Sequence, residues 1–306
     1  MRFLVTGAGG FLGSNVVRTL LDRDHEVLAL SSQAPEDIIS RIGRGGGHSE
    51  IEHRRLEVAG NELLLDHTSL KGCDAVVNCA FPWNRDGLEM ATGLEFHRNL
   101  VEVVDQSNIP TFVNVSSQSV YPSNRRTPAT EKDPVNCHSP YTTAKYALEL
   151  LTLAVLGEQR TLNARVSSLI GVGYDIRLVN RFVLSALQSR PIVIKGGEQL
   201  LDYMDVRDGA NALSLLGEGG VIDRQNTINV GAGRPLRLLE IACRVRDVVE
   251  QETGLNISLE VEGDTSPQTN SALDCTSLEK LYGFRASIPI DSTIRWILEA
   301  FKAQRS

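Results

Sequence analysis

Thr6-Gly7-Ala8-Gly9-Gly10-Phe11-Leu12-Gly13 sets glycines at 7, 10 and 13, straight after the apolar run Phe3-Leu4-Val5. A helical pattern follows, with Val16, Val17, Leu20 and Leu21 on one face. A strand that turns through three glycines into a helix has little conformational choice. Gly7 permits the tight turn, Gly10 lets backbone approach a pyrophosphate, and Gly13 lets the helix pack close to the sheet. Phe11 and Leu12 open the helix, whose free N–H groups and positive dipole end favour phosphate. Gly7, Gly10, Phe11, Leu12 and Gly13 are therefore candidate contacts to a dinucleotide.

The rest of the chain keeps the same rhythm. His25–Leu30 reads as a second strand, and Ala75–Cys79, Thr111–Ser116 and Leu162–Ser167 read as strands buried on both faces. Helical stretches over Gly87–Gln106 and Pro140–Leu156 separate them. This alternation predicts an α/β protein built on a doubly wound parallel sheet. After Ile170 the rhythm changes: Gly171-Val172-Gly173, a helix over Ile176–Gln188, then a short strand over Pro191–Ile194. Residues 1–170 with about 205–235 are expected to form a Rossmann domain. About 171–204 with 236–306 are expected to form a smaller α/β substrate domain. The stretch Ser31–Arg55 reads as a partly helical excursion ending in a loop at Gly45, Gly46 and Gly47.

The second strand carries a departure. NAD-binding domains place Asp or Glu roughly 20 residues past the glycines, where it holds the ribose 2′-hydroxyl. Here that place is Ser31-Ser32. Without a carboxylate to repel it, a 2′-phosphate would meet two hydroxyls, and Arg41 or Arg44 could fold back to pair with it. NADP(H) is favoured on this ground, with NAD(H) possible. Glu57, in the strand-like stretch His53–Val58, is placed to accept from an adenine amino group.

Tyr141-Thr142-Thr143-Ala144-Lys145 puts a phenol and an ammonium four residues apart on one helical face. Ser139-Pro140 supplies a cap and a first-turn proline, so Tyr141 stands at the helix start. Lys145 is expected to lower the Tyr141 pKa from its free value of about 10, as a general acid near neutral pH requires. Upstream, Ser116, Ser117 and Ser119 lie just past a strand's carboxyl end, where open α/β sheets bind ligands. A serine there can polarise a substrate carbonyl beside the tyrosine.

Charge and cysteines narrow the setting. Lys and Arg total 31 against 38 Asp and Glu, and this acidic balance with no basic run makes nucleic acid or an anionic membrane a poor partner. Five cysteines without a CxxC pair argue against zinc or a disulfide framework, so no metal is expected. No apolar window approaches the roughly 20 residues that span a bilayer. The opening MRFLVTGAGG reads as a strand and turn rather than a signal peptide, and a cytoplasmic location is expected.

Together, TGAGGFLG at 6–13, GCDAVVNCA at 72–80, FVNVSSQSVYP at 112–122, SPYTTAK at 139–145, LLDYMDVRDGA at 200–210 and INVGAGRPL at 228–236 resemble one family over nearly the whole chain. It is the extended short-chain dehydrogenase/reductases, or NAD-dependent epimerase/dehydratase family. The resemblance implies an active site in the cleft between the two domains. It implies Ser117, three before Val120, as the catalytic serine, with Ser116 the neighbouring candidate. It implies Tyr141 as acid/base, Lys145 as its supporting lysine, and Cys79-Ala80 as the turn lining the cofactor. A nucleotide-sugar substrate and a homodimer paired through Gly87–Gln106 and Pro140–Leu156 are implied as well.

The departures bear on substrate. Where this family often shows R-x-x-N-x-Y-G-P, residues 165–172 place Ser168, Ile170 and Val172 at the Asn, Tyr and Pro positions. An arginine common before the Asp202-Tyr203 stretch is Leu201. Arg177, Arg181, Arg207 and Arg237 are the cations available to compensate, each also readable as a solvated helix charge. Where the 4,6-dehydratases carry an acid pair, this chain has Gln118 and Ser119, neither of which shuttles a proton at neutral pH. The expectation is a nucleotide-sugar oxidoreductase, reducing a 4-keto-6-deoxyhexose by hydride transfer from NADPH. The alternatives are an NAD-dependent epimerase and a non-catalytic NADP(H)-binding module.

Overall fold

The structure is a computed structural model that describes residues 1–43, 55–62, 67–82, 87–263 and 269–304. The loop glycines Gly45, Gly46 and Gly47 and the candidate Arg44 lie outside the described residues. In chain order the first half runs β1 (Arg2–Thr6), α1 (Phe11–Asp22), β2 (Glu26–Leu30), α2 (Pro35–Gly43), β3 (Leu56–Ala59), β4 (Ala75–Asn78), α3 (Gly87–Gln106), β5 (Thr111–Ser117), α4 (Pro140–Leu156) and β6 (Thr161–Val166). The second half runs β7 (Ser168–Ile170), α5 (Leu178–Leu187), β8 (Ile192–Lys195), β9 (Leu200–Leu201), β10 (Tyr203–Asp205), α6 (Val206–Gly219), β11 (Thr227–Val230), β12 (Leu236–Arg237), α7 (Leu238–Thr253), β13 (Leu259–Glu262), α8 (Thr276–Tyr282) and α9 (Ile290–Ala303).

Seven strands form one sheet in the order β11-β6-β5-β4-β1-β2-β3, and every neighbouring pair is parallel. Alternate residues serve opposite faces. Phe3, Val5, Val27, Ala29, Val113 and Val115 pack in the core that also holds Val16 and Val17 of α1 and Leu213 of α6. Leu4, Leu28, Val76 and Phe112 pack with Leu100 and Val104 of α3 and Leu156 of α4. Chain order reverses on either side of β1, so the turns after β1 and β4 diverge and leave a crevice at their carboxyl ends.

One row of this sheet is polar. Thr6, Asn78, Asn114 and Asn163 sit side by side in register on β1, β4, β5 and β6. Thr6 donates to Asn78 at 2.5 Å, Asn78 to Asn114 at 3.4 Å, and Asn114 to Asn163 at 2.9 Å. Asn78 also donates to His97 Nδ1 at 2.9 Å. The Thr152 hydroxyl gives its proton to the Leu148 carbonyl, so it accepts from His97 Nε2 at 2.8 Å. Burial and the nearby Lys145 charge push His97 down to about 3, which keeps the ring neutral as this network requires.

On the same face α4 is fastened by a buried ion pair. Arg165 of β6 donates to Glu149 from Nε at 3.0 Å and from Nη2 at 2.7 Å, and Ser116 donates to the same carboxylate. The two side chains are 6% and 3% exposed. Arg165 also lies over the Tyr121 ring, 4.8 Å from its centroid.

A second core joins α5, α7 and α9 with β8, through Phe182, Val183, Ile192, Ile194, Ile241, Val245, Ile297 and Phe301. Here β8 pairs with β13 in parallel. Leu278 of α8, with Phe284 and Ala286, packs in the first core instead. The boundary drawn from sequence gave all of 236–306 to the second unit. In the structure α8 lies against β11 and α6, with Leu278 in the cluster that holds Leu213 and Leu216.

Replacing Arg165 with leucine leaves the Glu149 carboxylate buried and unpaired. The expected cost is about 3–5 kcal/mol, read as a lower denaturant midpoint. Arg165→Leu combined with Glu149→Met is expected to recover most of that loss, because no orphan charge remains.

Candidate active site

The glycine turn closes against the end of β4. Gly7 has φ +65°, and a Cβ there would stand 2.8 Å from the Ala80 nitrogen. A Cβ at Gly13 would overlap the Gly7 carbonyl. Gly10 donates to that carbonyl at 2.8 Å, while Cys79 donates to Thr6 O at 3.2 Å and Ala80 to Thr6 Oγ1 at 3.3 Å. Cys79 and Ala80 thus form one wall of the crevice and the turn forms the other. No side chain caps the first turn of α1, and no acid stands in it. That open, electropositive helix end fits a pyrophosphate, and Phe11 and Leu12 hold it by packing on the first core.

At the end of β2, Ser31 is buried and its hydroxyl accepts from the Gln33 backbone at 3.2 Å, while Ser32 is exposed. Arg41 Nη1 donates to the Gly9 carbonyl at 2.6 Å. Glu57 is not brought to this group. It pairs at 3.1 Å with Arg2, the first residue of β1 and thus at the sheet's amino edge. Glu57 precedes the end of β3 by two residues.

Strand alternation separates the two candidate serines. Ser116 turns to Glu149 inside the fold, leaving Ser117 on the opposite face. Ser117 accepts from the Ser119 backbone at 3.2 Å, shares a 2.7 Å hydrogen bond with the Ser119 hydroxyl, and bonds Tyr141. Reciprocal bonds between Ser139 and Thr142 cap α4, with Pro140 at its start, so Tyr141 projects from the first turn. One turn on, Lys145 Nζ donates to the Val115 carbonyl at 2.9 Å and lies 4.5 Å from the Phe81 ring centroid. The Phe81 and Tyr141 rings meet edge to face at 6.0 Å. Ser117, Tyr141 and Lys145 therefore meet at the carboxyl end of β5, beside Cys79 and Ala80.

The electrostatics differ from the sequence expectation. Burial pushes the Tyr141 phenol up, opposed by the Ser117 hydrogen bond and the Arg177 charge. Lys145 is not among the groups that lower it: its ammonium is spent on the Val115 carbonyl, and burial pulls Lys145 itself down to about 8. Burial also holds the neighbouring Cys79 thiol up at about 12, so it stays protonated.

Among the four arginines set against the missing family residues, Arg177 faces the site. Its charge reaches Tyr141, Tyr174 and Tyr203, and its guanidinium carbon lies 4.7 Å from the Tyr174 ring centroid. Tyr174 in turn packs on Phe11 at 5.0 Å. Arg207 is locked on Asp205 at 2.7 Å and stacked on Trp296, Arg237 is exposed and paired with Glu198 at 3.2 Å, and Arg181 is exposed. No sequence spacing singles out Tyr174, Arg177 and Tyr203: the first two share the segment ahead of α5, where the Arg177 backbone donates to the Tyr174 carbonyl at 3.1 Å, and Tyr203 stands on β10. Glu149 did have a signal, since 141, 145 and 149 repeat at helical spacing. Among the described residues no three His, Cys, Asp or Glu side chains gather as a metal would need.

Residues 3–231 match the model of the NAD dependent epimerase/dehydratase family. Low-salt glycan biosynthesis protein Agl12 of Haloferax volcanii is 28% identical over 262 residues, covering 81% of this chain and 83% of that protein. A dTDP-glucose 4,6-dehydratase of Streptomyces griseus is 25% identical over 318 residues, covering 96% and 93%. Among solved structures, a dTDP-glucose 4,6-dehydratase from Bacillus anthracis in complex with NAD superposes with a TM-score of 0.81 at 19% identity, over 99% of this chain and 97% of that one. UDP-N-acetylglucosamine 4-epimerase from Bacillus cereus gives 0.81 at 20% identity, with both chains covered in full. The match spans the glycine turn, the Ser117 strand and the Tyr141 helix, and this chain belongs to the NAD dependent epimerase/dehydratase family.

Proposed function

We propose that this chain is an oxidoreductase acting on a nucleotide sugar, most simply the reduction of a 4-keto-6-deoxyhexose with NADPH. The observation that carries the reading is the convergence of Ser117, Tyr141 and Lys145 beside the open end of α1. A bound nicotinamide supplies the hydride. Ser117 polarises the keto oxygen, and Tyr141, kept protonated by burial, gives its proton to the forming alkoxide. Lys145 stands one turn behind and in this reading would meet the nicotinamide ribose. The second core, with Arg177 and Tyr174 at its edge, is the proposed substrate-binding unit.

Several relatives are named as dehydratases, yet elimination needs an acid and a base after the catalytic hydroxyl. Gln118 and Ser119 stand there, and Ser119 is bonded to Ser117. Epimerisation is the second reading. It is favoured by relatives such as the uncharacterized UDP-glucose epimerase YtcB of Bacillus subtilis, 26% identical over 87% of this chain, and it needs the same three residues. The Bacillus anthracis neighbour holds NAD. For this chain NADP(H) is proposed, because β2 ends without a carboxylate.

A homodimer through α3 and α4 is proposed with it. The charged residues of α4, Lys145 and Glu149, are both buried, and its outer face shows Thr143, Leu150 and Ala154. Leu150 is 50% exposed, and Leu88 at the start of α3 is 79% exposed. A cytoplasmic setting is proposed from five unpaired cysteines. Among the described residues no helix is long and apolar enough to cross a membrane.

Mixing the protein with excess NADPH and a nucleotide-linked 4-keto-6-deoxyhexose tests the function. Stoichiometric loss of NADPH absorbance supports reduction. Interconversion of sugar epimers without added cofactor moves the assignment to epimerase. Tyr141→Phe is expected to lower kcat by ~10²–10⁴-fold with cofactor Kd unchanged; half-normal activity would mean another group supplies the proton. Lys145 loses its proton as pH rises through about 8, so cofactor affinity should fall above that value. Lys145→Met should flatten this profile. Leu150→Glu should convert a dimer to monomers by light scattering, and a monomeric wild-type chain would refute the pairing.

A further inference from the structure

Beyond Cys79 and Ala80 comes Phe81, half-buried, and its ring touches two of the three side chains grouped at the end of β5. Lys145 Nζ lies over its face, 4.5 Å from the centroid. The Tyr141 ring meets it at 6.0 Å with the two planes 66° apart. An aromatic face carries partial negative charge and its edge partial positive charge, so both contacts are attractive. Gly93 of α3 makes room for them. A Cβ there would stand 2.5 Å from Pro82 Cδ and 3.3 Å from Phe81 Cε2. Glycine is a poor residue inside a helix compared with alanine, and Gly93 is buried well within α3. The close passage of Phe81 and Pro82 accounts for it.

The ammonium needs such a partner. Lys145 is buried, and burial opposes its charge. Among the described residues its one hydrogen-bond acceptor is the Val115 carbonyl, at 2.9 Å. The other groups around it give little. On α4 the Tyr141 phenol is kept protonated by burial. Glu149, one turn on, favours the charge, but its carboxylate is bonded by Arg165 and Ser116. At the end of β4 the Cys79 thiol is held up at about 12 and stays protonated. On α3 His97 is held down at about 3 and stays neutral. The Phe81 ring, from the segment after β4, meets the ammonium directly. A ring face attracts the charge without the directional claim of a carboxylate. The ammonium is thus held in place and can still donate to a hydroxyl.

We propose that Phe81 is a positioning residue of this site, holding the Lys145 ammonium over its face and the Tyr141 ring beside it so that both stand fixed relative to Ser117. It acts through those two side chains and not on the reacting atoms. The assignment rests on the reading of Tyr141 as proton donor and Lys145 as ribose contact. It differs in kind from the part played by Cys79 and Ala80, which wall the crevice with their backbone.

Carbon NMR of labelled lysine in the full chain, without cofactor, tests it. Lys145 is one of six lysines, and Lys145→Met assigns its Cε signal. The wild-type signal is expected to titrate at about 8. Replacing Phe81 with 3,4,5-trifluorophenylalanine keeps the shape of the ring and drains the charge from its face. The midpoint should then fall by roughly half a pH unit or more. The pH above which NADPH affinity declines should fall by the same amount. A midpoint that stays or rises makes Phe81 a packing residue and overturns the proposal. In turnover, Phe81→Leu should lower kcat by about twofold to thirtyfold with the KM for the sugar nearly unchanged, and Phe81→Tyr should restore it. A leucine variant as fast as wild type, or a tyrosine variant no faster than leucine, overturns the proposal. Should Phe81→Leu fail to fold, the trifluorinated and tyrosine variants fill the same space and carry the test. A wild-type chain that turns over no nucleotide sugar refutes the oxidoreductase reading, and the cofactor-free midpoint still decides this assignment.

Discussion

The buried pair between Glu149 and Arg165 is the contact on which the working face of this protein depends. It binds α4 to β6 with charge-assisted hydrogen bonds from Arg165 Nε and Nη2 and takes another from Ser116 on β5. Isolated buried charges carry a desolvation cost of several kcal/mol per ion, so such a pair persists only with its lone pairs satisfied. What it secures is geometric. Glu149 lies one turn beyond Lys145 and two beyond Tyr141, so anchoring it fixes the rotation of α4 about its axis. The phenol is thereby aimed at Ser117 and the ammonium at the Val115 carbonyl.

The amide row across the sheet answers a second demand. A crevice at the carboxyl ends of β1 and β4 needs turns that leave in opposite directions while the strands beneath stay level. Thr6, Asn78, Asn114 and Asn163 tie four strands at one height, and the chain of donation continues into His97 and Thr152 of the two covering helices. The Thr6 hydroxyl also accepts from Ala80, so this polar row reaches the cofactor wall directly. Fold and site thus share their hydrogen bonds.

Much of this was legible beforehand for local reasons. Glycine spacing, two-sided apolar strands and the Ser139-Pro140 cap act within a few residues, so β1, β4, β5, α3 and α4 emerge close to their observed bounds. The Ser117, Tyr141 and Lys145 set was legible because strand alternation and helical spacing decide which side chains share a face. What did not follow was electrostatics. Lys145 was expected to lower the Tyr141 pKa, but burial dominates both groups, and burial belongs to the packed molecule. For Glu57 the strand was recognised, but its pairing with Arg2 was not.

The sequence by itself determined the parallel sheet, the glycine turn and the grouping of Ser117, Tyr141 and Lys145, because each is written in contacts between near neighbours. Only the tertiary structure decided which arginines reach the glycine turn and the Tyr141 cluster. Arg177 and Arg41 look like any other helix charge in the chain. Their surroundings come from packing: Arg177, just ahead of α5, lies over the Tyr174 ring with its charge reaching Tyr141 and Tyr203, and Arg18 of α1 holds the end of α2 where Arg41 reaches Gly9. Long side chains reach partners chosen by how elements pack, and that choice is made over distances in sequence that no local pattern spans.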